Sequence, residues 1–168
     1  MPEGFTSRNM TLPQTQRRFG ATLGQIYRRW RARLDSHLAS HGLTESRGLA
    51  LMNLARAGDG ITQRQLANRL GVEGPSLVRT LDWLEQEGFV ERREAAHDRR
   101  AKTLHLTAKA LPRVPELQQA AAAVRAEILE GITEAELLIC LQVLSRVARN
   151  LGAELPPEEG GADGRRPA

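Results

Sequence analysis

Ser76 and Arg79 stand three residues apart in the run Pro75-Ser76-Leu77-Val78-Arg79-Thr80-Leu81. On a helix that spacing puts both on one face, away from Leu77, Leu81 and Leu84. An arginine presented in this way can give two parallel hydrogen bonds to the O6 and N7 acceptors of a guanine, worth about 1–3 kcal/mol against the wrong base. Ser76 can donate to a phosphate or a base edge, and Pro75 can set the helix start and touch a thymine methyl. In an arbitrary helix such an arginine is more often simply solvated.

A second charged run, Asp98-Arg99-Arg100-Ala101-Lys102, falls between two stretches of strand character, Phe89 to Arg93 and Thr103 to Leu106. The intervening residues are too polar for a core and are expected to form a hairpin. Arg100 is the expected tip residue, entering a minor groove where narrow A·T tracts concentrate negative potential. Asp98 would repel phosphate, so its role is to hold Arg99 or Arg100 through a charge-assisted pair. Arg92, Arg93, Arg99 and Lys102 then supply phosphate contacts that fix register without reading sequence. Thr62 and Gln63 open a further short helix, where free amides and the helix dipole favour an anion. Thr62 as a plain N-cap is an equally good account.

Other chemistry is thinly represented. His37 and His41 are four apart, a spacing that can hold a metal from one helix face, but no third ligand is evident and no metal is expected. Cys140 is the only cysteine, which leaves no intrachain disulfide and no four-cysteine site; on a broad apolar helix face it reads as a small hydrophobe. No convergent nucleophile and base and no glycine-rich phosphate loop are present, so an enzyme is not expected, nor any cofactor.

These residues need elements to position them. Ala67 and Gly71, four apart, suit the tight turn between two short helices, and Thr62 begins the first of them. Pro75 opens the second, whose buried face is expected to be Leu77, Val78, Leu81 and Leu84. Upstream, Phe19, Leu23, Ile26, Trp30, Leu34 and Leu38 recur every three or four residues from Gln16 to the stop at Gly42. A helix of that length, about 35–40 Å, is too long for one small neighbour to cover, so much of the stripe is expected to be dimer core. Thr44 opens the next helix, which ends near Gly58. Thr107 is expected to cap a helix disturbed at its start by Pro112 and Pro115. Thr133-Glu134-Ala135-Glu136 reads as a capping box for the last helix. There Leu137, Leu141, Leu144, Ala148 and Leu151 form a stripe broad enough to want two neighbours.

The expected organisation is a flexible arm at 1–12, an N-terminal dimerisation helix at 13–43, a winged helix-turn-helix at 44–107, C-terminal dimerisation helices at 108–152 and a disordered tail at 153–168. The fold class is mainly α with a small β-hairpin, a homodimer. The formal charge is +4 with a pI near 10.2, carried almost wholly by arginine, since only Lys102 and Lys109 are lysines. Arginine's planar fork suits phosphate and guanine edges, although a GC-rich genome would also enrich it. With no signal-peptide pattern before the first helix and no apolar run long enough for a bilayer, a cytoplasmic location without membrane attachment is expected.

Three blocks at this separation, Trp30-Arg31-Ala32-Arg33-Leu34-Asp35, Gln65-Leu66-Ala67 with Pro75 to Glu85, and Asp98 to Lys102 running to Leu106-Thr107, resemble the MarR family of bacterial transcription regulators, and within it the SlyA branch. The similarity spans about Leu23 to Leu151. It implies a homodimer with six helices per subunit, the first and last two interlocked below a pair of winged domains. It implies a double-stranded DNA operator of pseudo-palindromic form, with the Pro75 helix in the major groove, and it favours Arg79 as a base reader over a solvated side chain. It also implies a small aromatic carboxylate or phenolic effector that releases the DNA, for which Trp30, Arg33 and His41 are the candidate contacts. Peroxide-sensing branches use a cysteine in the first helix, and none stands there. A helical adaptor that keeps the fold without binding DNA is the alternative.

Overall fold

The computed structural model describes residues 10–58, 60–95 and 98–153, and for residues 95 and 98–101 the backbone only. The expected tail from 154 onward and the first nine residues of the expected arm lie outside the described residues. Six helices and a three-stranded antiparallel sheet are seen among them. The helices are α1 (Leu12–Ala39), α2 (Glu45–Ala57), α3 (Gln63–Leu70), α4 (Gly74–Gln86), α5 (Arg113–Ile128) and α6 (Glu134–Asn150). The strands are β1 (Ile61–Thr62), β2 (Val90–Ala95) and β3 (Asp98–Leu106). The mainly helical winged architecture expected from the sequence is what the chain adopts.

The chain forms two compact units, one ending at Ile128 and one starting at Leu129. In the first, a single core joins Leu34 and Leu38 of α1, Leu51 and Leu54 of α2, Leu66 of α3, Leu77, Leu81 and Leu84 of α4, Leu104 of β3, and Leu117 and Val124 of α5. The C-terminal third of α1 and all of α5 are therefore packed into the same core as the turn and the hairpin. Gly48 is where α2 meets α1: a Cβ placed there would stand 2.6 Å from Leu38 Cδ1, and Leu38 is fully buried. A side chain at this position would push the two helices apart.

The start of α2 is fixed by its neighbour and not by its own cap. Thr44 makes no side-chain cap bond; instead Asp35 Oδ1 accepts from the Glu45 amide at 2.7 Å. Glu45 itself is buried, and Arg31 reaches its carboxylate with a fork, Nε to Oε1 at 2.9 Å and Nη2 to Oε2 at 2.6 Å. Hydrogen bonding to Glu45 holds the Arg31 guanidinium above the usual arginine range despite some desolvation. Tyr27 lies 5.6 Å beneath it, adding a cation–π contact. The Arg31 and Asp35 of the first sequence block thus fasten both ends of one buried glutamate.

Several sequence expectations shift by a turn. The first helix begins at Leu12, one residue before the expected boundary at 13 and a turn before its apolar periodicity sets in at Gln16, with Gln14 Oε1 accepting from the Thr11 amide and hydroxyl across Pro13. Thr107 caps no helix: its hydroxyl donates to the Gly88 carbonyl at 2.7 Å, and α5 begins six residues later. The sheet also contains β1, two residues that pair Ile61 with Leu104 and Thr62 with Thr103.

In α6, Thr133 accepts from the Glu136 amide and the Glu136 carboxylate answers at the Thr133 amide and hydroxyl, so the capping box is complete. Those bonds hold the Glu136 carboxyl below the usual carboxylate range. Along the helix Leu138, Ile139 and Leu141 are exposed, and so is Cys140, which in the single chain is no buried hydrophobe. On α1, Phe19, Leu23, Ile26 and Tyr27 are likewise exposed. No helix of the described residues is long and apolar enough to cross a membrane.

Candidate nucleic-acid interface

The reversal between α3 and α4 has a definite chemical cause. Thr62 Oγ1 accepts from the Gln65 amide at 3.2 Å, and Gln65 Oε1 accepts from the Thr62 amide at 2.8 Å. Both orphan donors are satisfied and α3 starts where the sheet ends. At the other end Gly71 takes φ +62°, the left-handed conformation that only glycine adopts at no cost. Its role is conformational, not spatial, since a Cβ there would meet nothing within 4 Å. Ala67, by contrast, is buried in the turn as the sequence suggested. Glu73 then caps α4, with Pro75 in its first turn.

Leu77, Leu81 and Leu84 anchor α4 to the core and turn Pro75, Ser76 and Arg79 outward, all three exposed. Val78, which the sequence placed with the buried residues, is 37% exposed and belongs to the outer face. Arg79 makes no side-chain hydrogen bond or ion pair among the described residues, so its fork is free for an external acceptor. Thr62, in contrast, has its hydroxyl engaged with Gln65. What α3 offers an anion at its start is the half-buried Gln63 and the free amides of the first turn.

The hairpin runs from Val90 paired with Leu106 to Glu94 paired with Lys102, then breaks register so that Ala95 faces Asp98. Residues 99 to 101 therefore have no partner on β2, and Arg99 and Arg100 stand in an irregular bulge at the start of β3, with Arg100 two residues past the first residue of the strand. The contacts of the Asp98, Arg99 and Arg100 side chains, including the expected Asp98 pair, lie outside the described residues. Lys102 is exposed. Arg93 is more than half exposed and pairs with Glu91 on its own strand.

Three cations have roles that sequence reasoning missed or misassigned. Arg92, expected on phosphate, is only 17% exposed and bridges two carboxylates of α4, Asp82 at 2.7 Å and Glu85. Burial opposes its charge, yet Asp82 and Glu85 together raise its pKa above the ordinary arginine value. Arg47 of α2 stacks over Trp83 at 3.7 Å from the ring centroid. Lys109 donates to the Glu87 carbonyl at 2.6 Å and so completes the C-terminus of α4. The available signal was the acidic pair Asp82 and Glu85, three apart on one face of α4, followed closely by Arg92 and Arg93.

Of the candidate effector residues, His41 lines a cleft whose walls include neither Trp30 nor Arg33. Arg33 is held by Glu127 of α5 through two hydrogen bonds of 2.9 Å. Trp30 is half-buried on α1. His41 lines a cleft of about 300 Å³ together with His37, Ser40, Glu116, Gln119, Ala120 and Ala123. His37 and His41 face different glutamates, Glu127 and Glu116, each at 3.7 Å. Among the described residues no group of three or more metal-binding side chains converges.

Comparison with known proteins agrees with this geometry. The model of the MarR family matches residues 41–101, from just after α1 into the start of β3. A solved structure of the transcriptional regulator PA3341 is 48% identical, with 81% of this chain and 99% of that one covered and a TM-score of 0.74. The transcriptional regulator SlyA is 23% identical over 79% of this chain and 93% of its own, with a TM-score of 0.72. A cysteine-to-serine mutant of MarR from E. coli, solved in complex with operator DNA, is 22% identical over 82% and 99%, also with a TM-score of 0.72. With a near-complete match at 48% identity and a helix-turn-helix and hairpin of the matching form, the chain belongs to the MarR family of transcriptional regulators.

Proposed function

We propose that the protein is a cytoplasmic, SlyA-like repressor that binds a pseudo-palindromic operator in double-stranded DNA as a homodimer. The observation that carries this reading is the outer face of α4, where Pro75, Ser76 and an unpaired Arg79 are held outward by three buried leucines. Arg79 reads the bases from the major groove, Ser76 and the start of α3 at Thr62 and Gln63 anchor phosphates, and the hairpin carrying Arg93, Asp98, Arg99, Arg100 and Lys102 follows the neighbouring backbone. The E. coli MarR mutant was solved with operator DNA, and the likeness of fold supports the same mode of docking here.

Homodimerisation is supported by the exposed apolar residues of α1 and α6, which a monomer would leave in water. Sedimentation at micromolar concentration should give twice the mass of one chain, 18.6 kDa; a monomer would remove the two-fold operator from the proposal.

The DNA contact is tested by selecting duplexes from a randomised pool and titrating the winner in a gel shift. The selected site should be pseudo-palindromic, with half-sites about 10–10.5 base pairs apart. Arg100→Ala should weaken its binding at least about tenfold with helix content unchanged, since the minor-groove arginine is lost from both subunits. Equal affinity would refute the wing assignment, and a wild-type protein that selects no duplex would leave a helical adaptor as the better reading.

An aromatic carboxylate effector is the finer part of the proposal. The cleft beside His41 is its natural entrance, and such a ligand would gain Arg33 only by displacing Glu127. It would act by preferring the arrangement that cannot bind DNA.

A further inference from the structure

We propose that Arg92 is a positioning residue for DNA recognition: it holds Asp82 away from Arg79 and so keeps the base-reading arginine free. The inference rests on α4 being the DNA-reading helix.

Asp82 follows Arg79 by three residues, so the two are neighbours on the surface of α4, and Glu85 is the next neighbour in the same direction. Asp82 is more than half exposed. An aspartate in that place has two unfavourable courses if left alone. It can repel the phosphates that approach α4, or it can pair with Arg79 and compete with the bases for the guanidinium. The second does not occur here, and the Arg92 guanidinium offsets the charge behind the first. Asp82 Oδ1 accepts from Arg92 Nη2 at 2.7 Å, Glu85 accepts from Nη1 of the same guanidinium, and Arg79 is left without an ion pair among the described residues.

The geometry suits arginine in particular. Two nitrogens of one planar fork reach two carboxylates on successive turns, and a lysine point charge could not satisfy both at once. Arg92 is also well placed to hold its position: it sits on β2 opposite Leu104, a buried core residue, and its own side chain is 17% exposed. A partly shielded pair of this kind resists competition from salt better than an open surface pair. Arg92 therefore commits its charge to two carboxylates of its own chain, in a chain where most arginines of the described residues are exposed.

The test compares Arg92→Ala, Asp82→Asn and the double variant on two probes, the duplex that wild-type protein selects from a randomised pool and a random duplex of equal length. Arg92→Ala should lower affinity for the selected duplex about tenfold while changing the random duplex little, because the freed Asp82 captures Arg79. Asp82→Asn alone should bind like wild type. Adding Asp82→Asn to Arg92→Ala should restore most of the lost preference, a recovery that a purely structural role for Arg92 does not give. Helix content and thermal midpoint serve as fold controls, and Arg92→Gln replaces Arg92→Ala if the latter melts below the assay temperature.

Two results would overturn the proposal. If Arg92→Ala weakens both duplexes equally and lowers the salt slope by about two, one for each subunit, Arg92 is a phosphate contact. If the double variant remains as weak as Arg92→Ala, Asp82 is not the route. Should wild-type protein select no duplex, the DNA-binding reading falls and this inference with it; selection by wild type without recovery in the double variant removes this inference alone.

Discussion

Replacing Arg79 with alanine is expected to abolish most sequence preference while leaving a weak, salt-sensitive affinity for any duplex. A bidentate arginine on guanine is worth about 1–3 kcal/mol, and a two-fold dimer loses it twice, so the selected site should weaken by roughly 30-fold to 25,000-fold. Random duplex should weaken far less, because its binding rests on phosphate neutralisation by other cations. The side chain is exposed and makes no hydrogen bond or ion pair among the described residues, so the variant costs the fold nothing that the structure shows. Competition gel shifts with selected and random duplexes measure the ratio directly. Equal loss on both probes would make Arg79 a phosphate contact and pass the reading role to Ser76 or another residue.

The second large effect concerns stability. Arg31→Ala should lower the unfolding free energy by about 2–4 kcal/mol: stranding a buried charge costs about 3–5 kcal/mol, reduced here because Arg31 is itself 41% exposed. Glu45 would be left at 5% exposure with its fork removed. Glu45→Gln should cost less, since Arg31 can turn to water whereas Glu45 cannot. Urea unfolding of each variant at one fixed protein concentration gives the comparison, the concentration being held because a dimer's stability depends on it. A loss below about half a kcal/mol for Arg31→Ala would mean that water or a neighbour replaces the guanidinium.

These two arginines differ in how far their roles could be read beforehand. The outward placement of Arg79 was legible because everything that defines it is local: Pro75 sets the start, the leucines at 77, 81 and 84 set the buried side, and a three-residue spacing does the rest. The caps at Thr62 and Thr133 and the turn at Gly71 were legible for the same reason, each depending on residues within one turn. Arg31 and Arg92 depend on partners brought together by the fold. Glu45 is fourteen residues from Arg31, Asp82 ten from Arg92, and Glu127 ninety-four from Arg33, and no periodicity announces such pairs. β1 was missed because two residues carry no alternation, and their partners lie beyond α3 and α4. Thr107 misled because threonine before an apolar run has more than one use, here a bond back to Gly88 that closes the base of the hairpin.

The irregular pairing in β3 has a consequence for how such a protein can diversify. Five successive rungs, from Val90 with Leu106 to Glu94 with Lys102, tie the hairpin to the core, and the step across residues 99 to 101 lies beyond them. A residue inserted or removed in that segment leaves every rung below it in place, and added length of this kind costs little entropy. The reach of the wing is thereby uncoupled from the stability of the domain. Descendants of this chain can explore new targets by changing three unpaired residues, while the leucine framework that presents Arg79 stays as it is.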